Sequence, residues 1–303
     1  MEIYSELKQI PNLSVALGFF DGVHLGHRAV IENVVNFAYS NGEKSAVITF
    51  KDHPSRYFYD LKPEYILTRE ERRQRIATLG VDYMFELDFP LFANLSAEEY
   101  LKDVLVKNFQ PVAISTGFNH NFGKSKRGNT EFLETYSSKF GYKYFLIPPQ
   151  KFGDEIISST AIRSALIEGD IETANAMLGY NFGVSGVVVK GKQLGRTLGF
   201  PTANVIYPNE LIRLPLGVYA TKVIIGGKTY FGVTNFGKCP TVSVCDTACV
   251  ETNILNFDED IYGKDLRVEF LHYIRPEKKF FTVDELKTQI RQDLTVASSY
   301  HKI

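Results

Sequence analysis

The hydrophobic pattern of this chain changes its period once, near Gly179, and that change governs what the chain can fold into. Before it, strand-like and helix-like stretches alternate. "LSVALGFF" reads as a buried strand, and "SAVITF", "YMFEL", "PVAIST" and "YKYFLIP" as further strands. Between them, His27 to Tyr39 puts Val30, Ile31, Val34, Val35 and Ala38 on one helical face. Thr68-Arg69-Glu70-Glu71 and Ser96-Ala97-Glu98-Glu99 have the capping-box spacing of helix starts, the second ahead of Tyr100, Leu101, Val104 and Leu105. This alternation predicts an α/β domain, a parallel sheet wrapped by helices. After Gly179, "VSGVVVK", "GVYATKVII", "KTYFGVTNF", "VETNILNF" and "LRVEFLHYI" are strand-like, with Gly226-Gly227 as a hairpin turn. Only the end turns helical again. Thr282 to Glu285 has capping-box spacing, and Leu286, Ile290 and Leu294 form an apolar stripe. The second half therefore predicts a compact β-barrel or sandwich closed by a C-terminal helix. The expected domains are residues 1–180 and 184–303, joined within "MLGYNFGVSG".

With 34 basic and 35 acidic residues the net charge is −1, so bulk charge gives no reason to expect nucleic acid or an anionic membrane as partner. An anionic ligand must be held by local geometry. No signal-peptide pattern opens the chain and no apolar run approaches a membrane span, so a cytoplasmic protein is expected. Cys239, Cys245 and Cys249 read as reduced thiols. The sequence leaves the oligomeric state open.

"GFFDGVHLGHRAV" places His24 and His27 where the first strand becomes a helix. In an open α/β sheet, ligands bind beyond the carboxyl ends of the strands. Free N–H groups in a helix's first turn suit phosphate there, Gly22 and Gly26 allow close backbone approach, and two imidazoles add donors. The plainer alternative is that one histidine caps a turn and the other is a surface residue. Ser158, Ser159 and Thr160 make a second capped helix start, with Arg163 one turn in. Gly186 to Lys192 imitates a phosphate-binding P-loop. It fails as one, because Gln193 replaces the required Ser or Thr and Gly195, Gly199 and Pro201 preclude the helix.

Four N-terminal segments occur in an order that resembles the FMN adenylyltransferase module of bacterial bifunctional riboflavin kinase/FAD synthetases: "GFFDGVHLGHR", "TFKDHPSRYF", "STGFNHNFGKSKRGN" and "ISSTAIR". "GRTLGFPTAN" (residues 195–204), "LPLGVYAT", "GVTNFGKCPTV", "VETNILNFDEDIYGKDLRVEF" and "RPEKKFFTVDELKTQIRQD" are similar to the riboflavin kinase module of the same family. The resemblance covers essentially the whole chain. It implies a Rossmann-like nucleotidyltransferase domain followed by a riboflavin-kinase barrel. The barrel would convert riboflavin and ATP to FMN and ADP, and the first domain FMN and ATP to FAD and pyrophosphate, with Mg²⁺ required. A monofunctional adenylyltransferase and a non-catalytic flavin sensor are the rival readings.

In the first domain the resemblance implies that His24 and His27 act on the ATP α-phosphate and that Ser159, Thr160 and Arg163 hold the pyrophosphate. Gly18, Phe19, Asp21, Gly26 and Asn119 would contact the nucleotide, and Phe50, His53 and Pro54 the flavin. In the barrel, Gly191, Gly195, Thr202 and Asn204 would hold phosphates, Thr202 and Asn204 also the metal, and Glu251 would be the base. The chain departs from the family pattern at Asp52, His120, Cys239 and Asn253, which stand where Pro, Phe, Arg and His are usual. These departures are expected to weaken substrate affinity rather than change the reaction.

Overall fold

A computed structural model describes residues 1–59, 64–191, 195, 198–238 and 248–300. Cys239, Cys245, Lys192 and Gln193 lie outside the described residues. The chain forms two compact units, Met1–Ser159 and Thr160–Ile303.

The first unit is built on strands β1 (Glu2–Tyr4), β2 (Leu13–Leu17), β3 (Lys44–Phe50), β4 (Tyr83–Leu87), β5 (Ala113–Gly117) and β6 (Lys143–Ile147). They run parallel in the order β1-β4-β3-β2-β5-β6. β2 is buried at every residue, as an interior strand of a covered parallel sheet must be. The chain adds strands on one side of β2, then crosses back to place β5 on the other. That switch point sets the carboxyl ends of β2, β3 and β5 along one edge. The helices are α1 (Leu25–Asn41), α2 (Pro54–Tyr59), α3 (Arg69–Thr78) and α4 (Thr130–Phe140). α1 buries Val30, Ile31, Val34 and Ala38, and ends at Gly42 in the left-handed region.

Ser96 and Glu99 form a complete capping box, but the chain beyond it is α-helical for one turn only. Tyr100–Val106 winds as a π-helix, burying the expected Tyr100, Leu101, Val104 and Leu105. A hairpin of β7 (Lys151–Phe152) and β8 (Glu155–Ile156) leads to α5 (Ser159–Glu168), whose first residue ends the first unit.

The second unit continues with α6 (Ile171–Leu178) and strands β9 (Gly183–Val187), β10 (Ala203–Ile206), β11 (Gly217–Ile225), β12 (Lys228–Lys238), β13 (Ala248–Ile254) and β14 (Asp265–Pro276). Helix α7 (Val283–Tyr300) ends it. The strands are antiparallel in the order β10-β13-β12-β11-β14-β9. A bridge from Val189 N to Asn204 O (2.9 Å) brings the β9 and β10 edges together, so the sheet nearly closes on itself. Gly226 and Gly227 turn the β11–β12 hairpin with φ of +55° and +78°.

Tyr207, Tyr219, Phe236 and Phe270 fill the barrel core. Beside them Thr221, Thr234 and Thr252, each fully buried, hydrogen-bond hydroxyl to hydroxyl across β11, β12 and β13, 2.8 Å at each step. α6 belongs to this unit through Asn175. Its amide donates to Phe270 O (2.9 Å) and its carbonyl oxygen accepts from Phe182 N (2.7 Å). The sequence boundary near residue 180 falls after α6, whereas the compact unit begins before it. α7 is pinned to β14 by a two-point pair from Arg275 Nε and Nη2 to the Asp293 carboxylate (2.8 and 2.7 Å).

Candidate functional site

The loop after β2 begins at Gly18, where any Cβ would lie 2.8 Å from the Phe20 ring. Phe20 itself is in the left-handed region (φ 59°) and Gly22 too (φ 85°), so the chain folds back sharply before α1. His24 is the N-cap of α1, and its Nδ1 accepts from His27 N (3.2 Å). That bond makes Nδ1 the acceptor and assigns the His24 proton to Nε2. The two imidazoles are stacked, centroids 3.6 Å apart and planes 19° from parallel. Gly26 lies against His24, where a Cβ would meet the ring at 3.1 Å.

Asp21 is buried, and its carboxylate turns inward to accept from Ile66 N (3.0 and 3.2 Å) and Leu67 N (3.4 Å). Its carbonyl oxygen accepts from Ser159 Oγ (2.9 Å), which joins the loop to the start of α5. Beyond β3, the His53 ring meets the Phe19 ring edge-on at 4.8 Å, and Pro54 opens α2. Phe50 packs into an aromatic cluster with Phe89 and Phe92, while its carbonyl faces α3. Asn119 follows β5, its Oδ1 3.7 Å from where a Cβ on Gly117 would sit. The three loops meet at one edge of the sheet because their strands are neighbours and parallel. Thr160 and Arg163 follow Ser159 on α5, within the second unit.

Two chambers open in the barrel among the described residues. One, of about 660 Å³, is lined by Glu251, Asn253, Asn235, Arg275 and residues of α7. The other, of about 360 Å³, is lined by Asn204, Thr252, Phe257 and Tyr262. Thr202 lines both. β13 pairs with β10 so that Glu251 stands opposite Asn204 and Thr252 opposite Ala203. Asn204 is buried and donates to Thr202 O (3.4 Å). A Cβ on Gly191 would fall 2.8 Å from the Asn204 amide, and one on Gly195 would fall 2.4 Å from Phe200 O, so both glycines are sterically required.

Residues 7–161 match the family model of FAD synthetase and residues 178–301 that of riboflavin kinase. The bifunctional riboflavin kinase/FMN adenylyltransferase of Listeria monocytogenes is 35% identical, across 93% of this chain and 90% of its own. That of Escherichia coli K12 is 35% identical across 97% of both. The chain belongs to the bifunctional riboflavin kinase/FMN adenylyltransferase family.

A solved structure described as a macrolide-efflux protein from Streptococcus pneumoniae superposes with a TM-score of 0.88 at 31% identity, over 98% of this chain and 99% of that one. The likeness carries the fold. Among the described residues, no helix is long and apolar enough to cross a membrane.

Two departures from the family pattern have visible consequences. Asn253 donates to Pro201 O (2.8 Å) and so ties the run leading to Thr202 onto β13. His120 stacks on Phe122 (centroids 5.8 Å, 24°), with Nε2 buried and making no hydrogen bond among the described residues. Burial pushes its imidazole down to about 4. Sequence reasoning did not single out Thr49 and Arg72, which meet at the Phe19 carbonyl. Arg72 sits in a run of four arginines within seven residues, which looks like a solvated helix face.

Proposed function

We propose that the two units of this chain perform successive steps of FAD synthesis. The barrel transfers the ATP γ-phosphoryl group to the primary hydroxyl of riboflavin's ribityl chain. Glu251 takes the hydroxyl proton as the P–O bond forms, and ADP leaves. The observation that carries this is Thr202, which stands where a flavin-sized chamber holding Glu251 meets a second chamber beside Asn204.

The residues fit Mg²⁺. Thr202 and Asn204 offer neutral oxygens suited to a hard cation, and the bare Gly191 leaves the space beside the Asn204 amide open. Held there by Thr202 and Asn204, Mg²⁺ would offset the negative charge of the ATP phosphates. Thr202 and Asn204 would orient the triphosphate, with Gly191 and Gly195 admitting it close to the backbone.

In the first unit the FMN phosphate attacks the ATP α-phosphorus and pyrophosphate leaves. His24 donates through Nε2 toward the charge developing on the α-phosphoryl oxygens, and His27 shares that role from the stacked position. Gly18, Phe19 and Gly26 bring the backbone to the nucleotide, and Asn119 positions it. Asp21 acts through its backbone and its hold on the segment at Ile66. His53 and Pro54 face the flavin from beyond β3, with Phe50 behind them. Ser159, at the end of the first unit, takes the leaving pyrophosphate.

The test is a pair of variants of the full chain, assayed with Mg·ATP and either riboflavin or FMN. His27→Ala should lower FAD formation by about 10²-fold with riboflavin phosphorylation intact. Glu251→Gln should lower FMN formation by about 10²–10⁴-fold with FMN adenylylation intact. Equal loss of both activities in either variant rules out two separate sites.

A further inference from the structure

Glu86 on β4 is fully buried, yet three arginines of α3 converge on it. Arg69 Nε and Arg73 Nε reach Oε2 at 2.9 and 2.8 Å, and Arg72 Nη2 reaches Oε1 at 2.9 Å. Burial alone would raise its carboxyl; the hydrogen bonds from Arg69, Arg73 and Arg72 outweigh burial and hold it below the usual carboxylate range. A buried ion pair is weak evidence of stability, since an apolar set of similar volume does as well. The arrangement is better explained by where it sends the middle arginine.

Arg72 is 3% exposed and spans the two strand ends that flank the candidate site. Its Nη1 donates to Phe19 O (3.2 Å) and its Nη2 to Phe50 O (2.8 Å), and its guanidinium carbon lies 4.6 Å over the Phe19 ring. Thr49 Oγ1, on β3 next to Phe50, donates to the same Phe19 carbonyl (3.0 Å). The carbonyl between Phe19 and Phe20 therefore has two donors, one of them cationic.

The peptide is trans, so its N–H points opposite to that carbonyl. That N–H belongs to Phe20, which is 2% exposed, holds a left-handed conformation, and makes no hydrogen bond through its N–H among the described residues. A buried amide without an acceptor is costly, and a non-glycine residue at positive φ adds strain. Both costs are understandable if the N–H is held for a ligand. Donors on the carbonyl polarise the peptide and make its N–H a stronger donor.

We propose that Arg72, oriented by Glu86 and assisted by Thr49, is a positioning residue for adenylyl transfer. It fixes and polarises the Phe19–Phe20 peptide so that the Phe20 N–H meets the reacting phosphoryl group. This rests on the reading of the His24/His27 loop as the adenylyl-transfer site. A preset amide adds more to the transition state, where phosphoryl charge moves, than to the bound substrate. The signature is therefore in kcat rather than KM.

The experiment measures FMN adenylylation by the full chain at varied ATP and FMN, with riboflavin phosphorylation as control, for Arg72→Lys, Thr49→Val, the double variant and His27→Ala. Arg72→Lys keeps the charge and loses the fork. It should lower kcat about 10-fold, with both KM values within twofold and kinase activity unchanged. Thr49→Val should lower kcat about threefold. Because the two share one acceptor, the double variant should lose less than the product of the single losses. A wild-type kcat in Arg72→Lys, a loss confined to KM, or fully multiplicative losses would each overturn the proposal. If Arg72→Lys does not fold, Thr49→Val decides, and an unchanged kcat there overturns it. His27→Ala separates the levels. If it is inactive while the other variants are normal, this inference alone fails; if it is active, the site reading fails with it.

Discussion

At the scale of single residues, His24 does two things that usually fall to different side chains. Its Nδ1 takes the orphan N–H of the first helical turn, a task more often given to Ser, Thr, Asp or Asn. The same bond commits the other nitrogen to donating. The plain reading of a capping histidine and the functional one are thus compatible at this position. His120 shows what a buried imidazole costs. It is pushed to about 4 in the folded chain and titrates near 6.5 in the unfolded one. Between those values the unfolded state binds the extra proton, so stability falls as pH drops through that window and the loss is complete below it. The full loss is at most about 3 kcal/mol. His120→Phe should flatten urea midpoints measured between pH 7 and pH 4, and an unchanged slope would refute the assignment. The placement of His24 at a strand–helix turn and of Ser159 at a helix start was legible in the sequence because local pattern sets both. Arg72 was not, because its role depends on carbonyls 53 and 22 residues away in the chain.

At the scale of elements, strands and amphipathic helices followed from local periodicity. The π-helical winding of Tyr100–Val106 did not, because seven residues are too few to tell a wider turn from an α-helical one when the same side chains are buried. The capping signals were uneven. Ser96–Glu99 closes in both directions, whereas Thr282 accepts from Glu285 N while the Glu285 carboxylate reaches back to Phe281 N (3.0 Å). α7 matters beyond its cap, since Leu286, Ile290 and Leu294 line the larger chamber. The Arg275–Asp293 pair holds that wall in place. Asp293→Asn leaves the guanidinium, itself partly exposed, without its counter-charge, at a cost of about 2 kcal/mol. The riboflavin KM should rise severalfold while FMN adenylylation is unchanged. An unaltered riboflavin KM would mean that the pair is dispensable to the chamber.

At the scale of the molecule, the division into a parallel and an antiparallel unit was legible because the period of the pattern changes once. Where the second unit begins was harder to read, since α5 and α6 continue the helical texture of the first half. α6 is attached through Asn175, which meets backbone 95 residues further on, and through Glu172, which meets His272. A fragment starting at Thr160 should therefore melt cooperatively and phosphorylate riboflavin. One starting at Asn181 should melt at lower temperature, having lost both Asn175 bonds. Equal melting temperatures by circular dichroism would place the boundary after α6.

The threonine ladder also bears on how the barrel assembles. Side chains alternate along a strand, so a one-residue slip of β13 against β12 would turn Thr252 outward and drive Glu251 into the space beside Thr234. A carboxylate there would be buried among hydroxyls and aromatic rings. Misalignment would then end in an unfolded strand rather than in a closed barrel with Glu251 displaced. The ladder works as a checkpoint. Chains that pass it have already put Glu251 opposite Asn235, and the register of this strand is inspected during folding rather than afterwards.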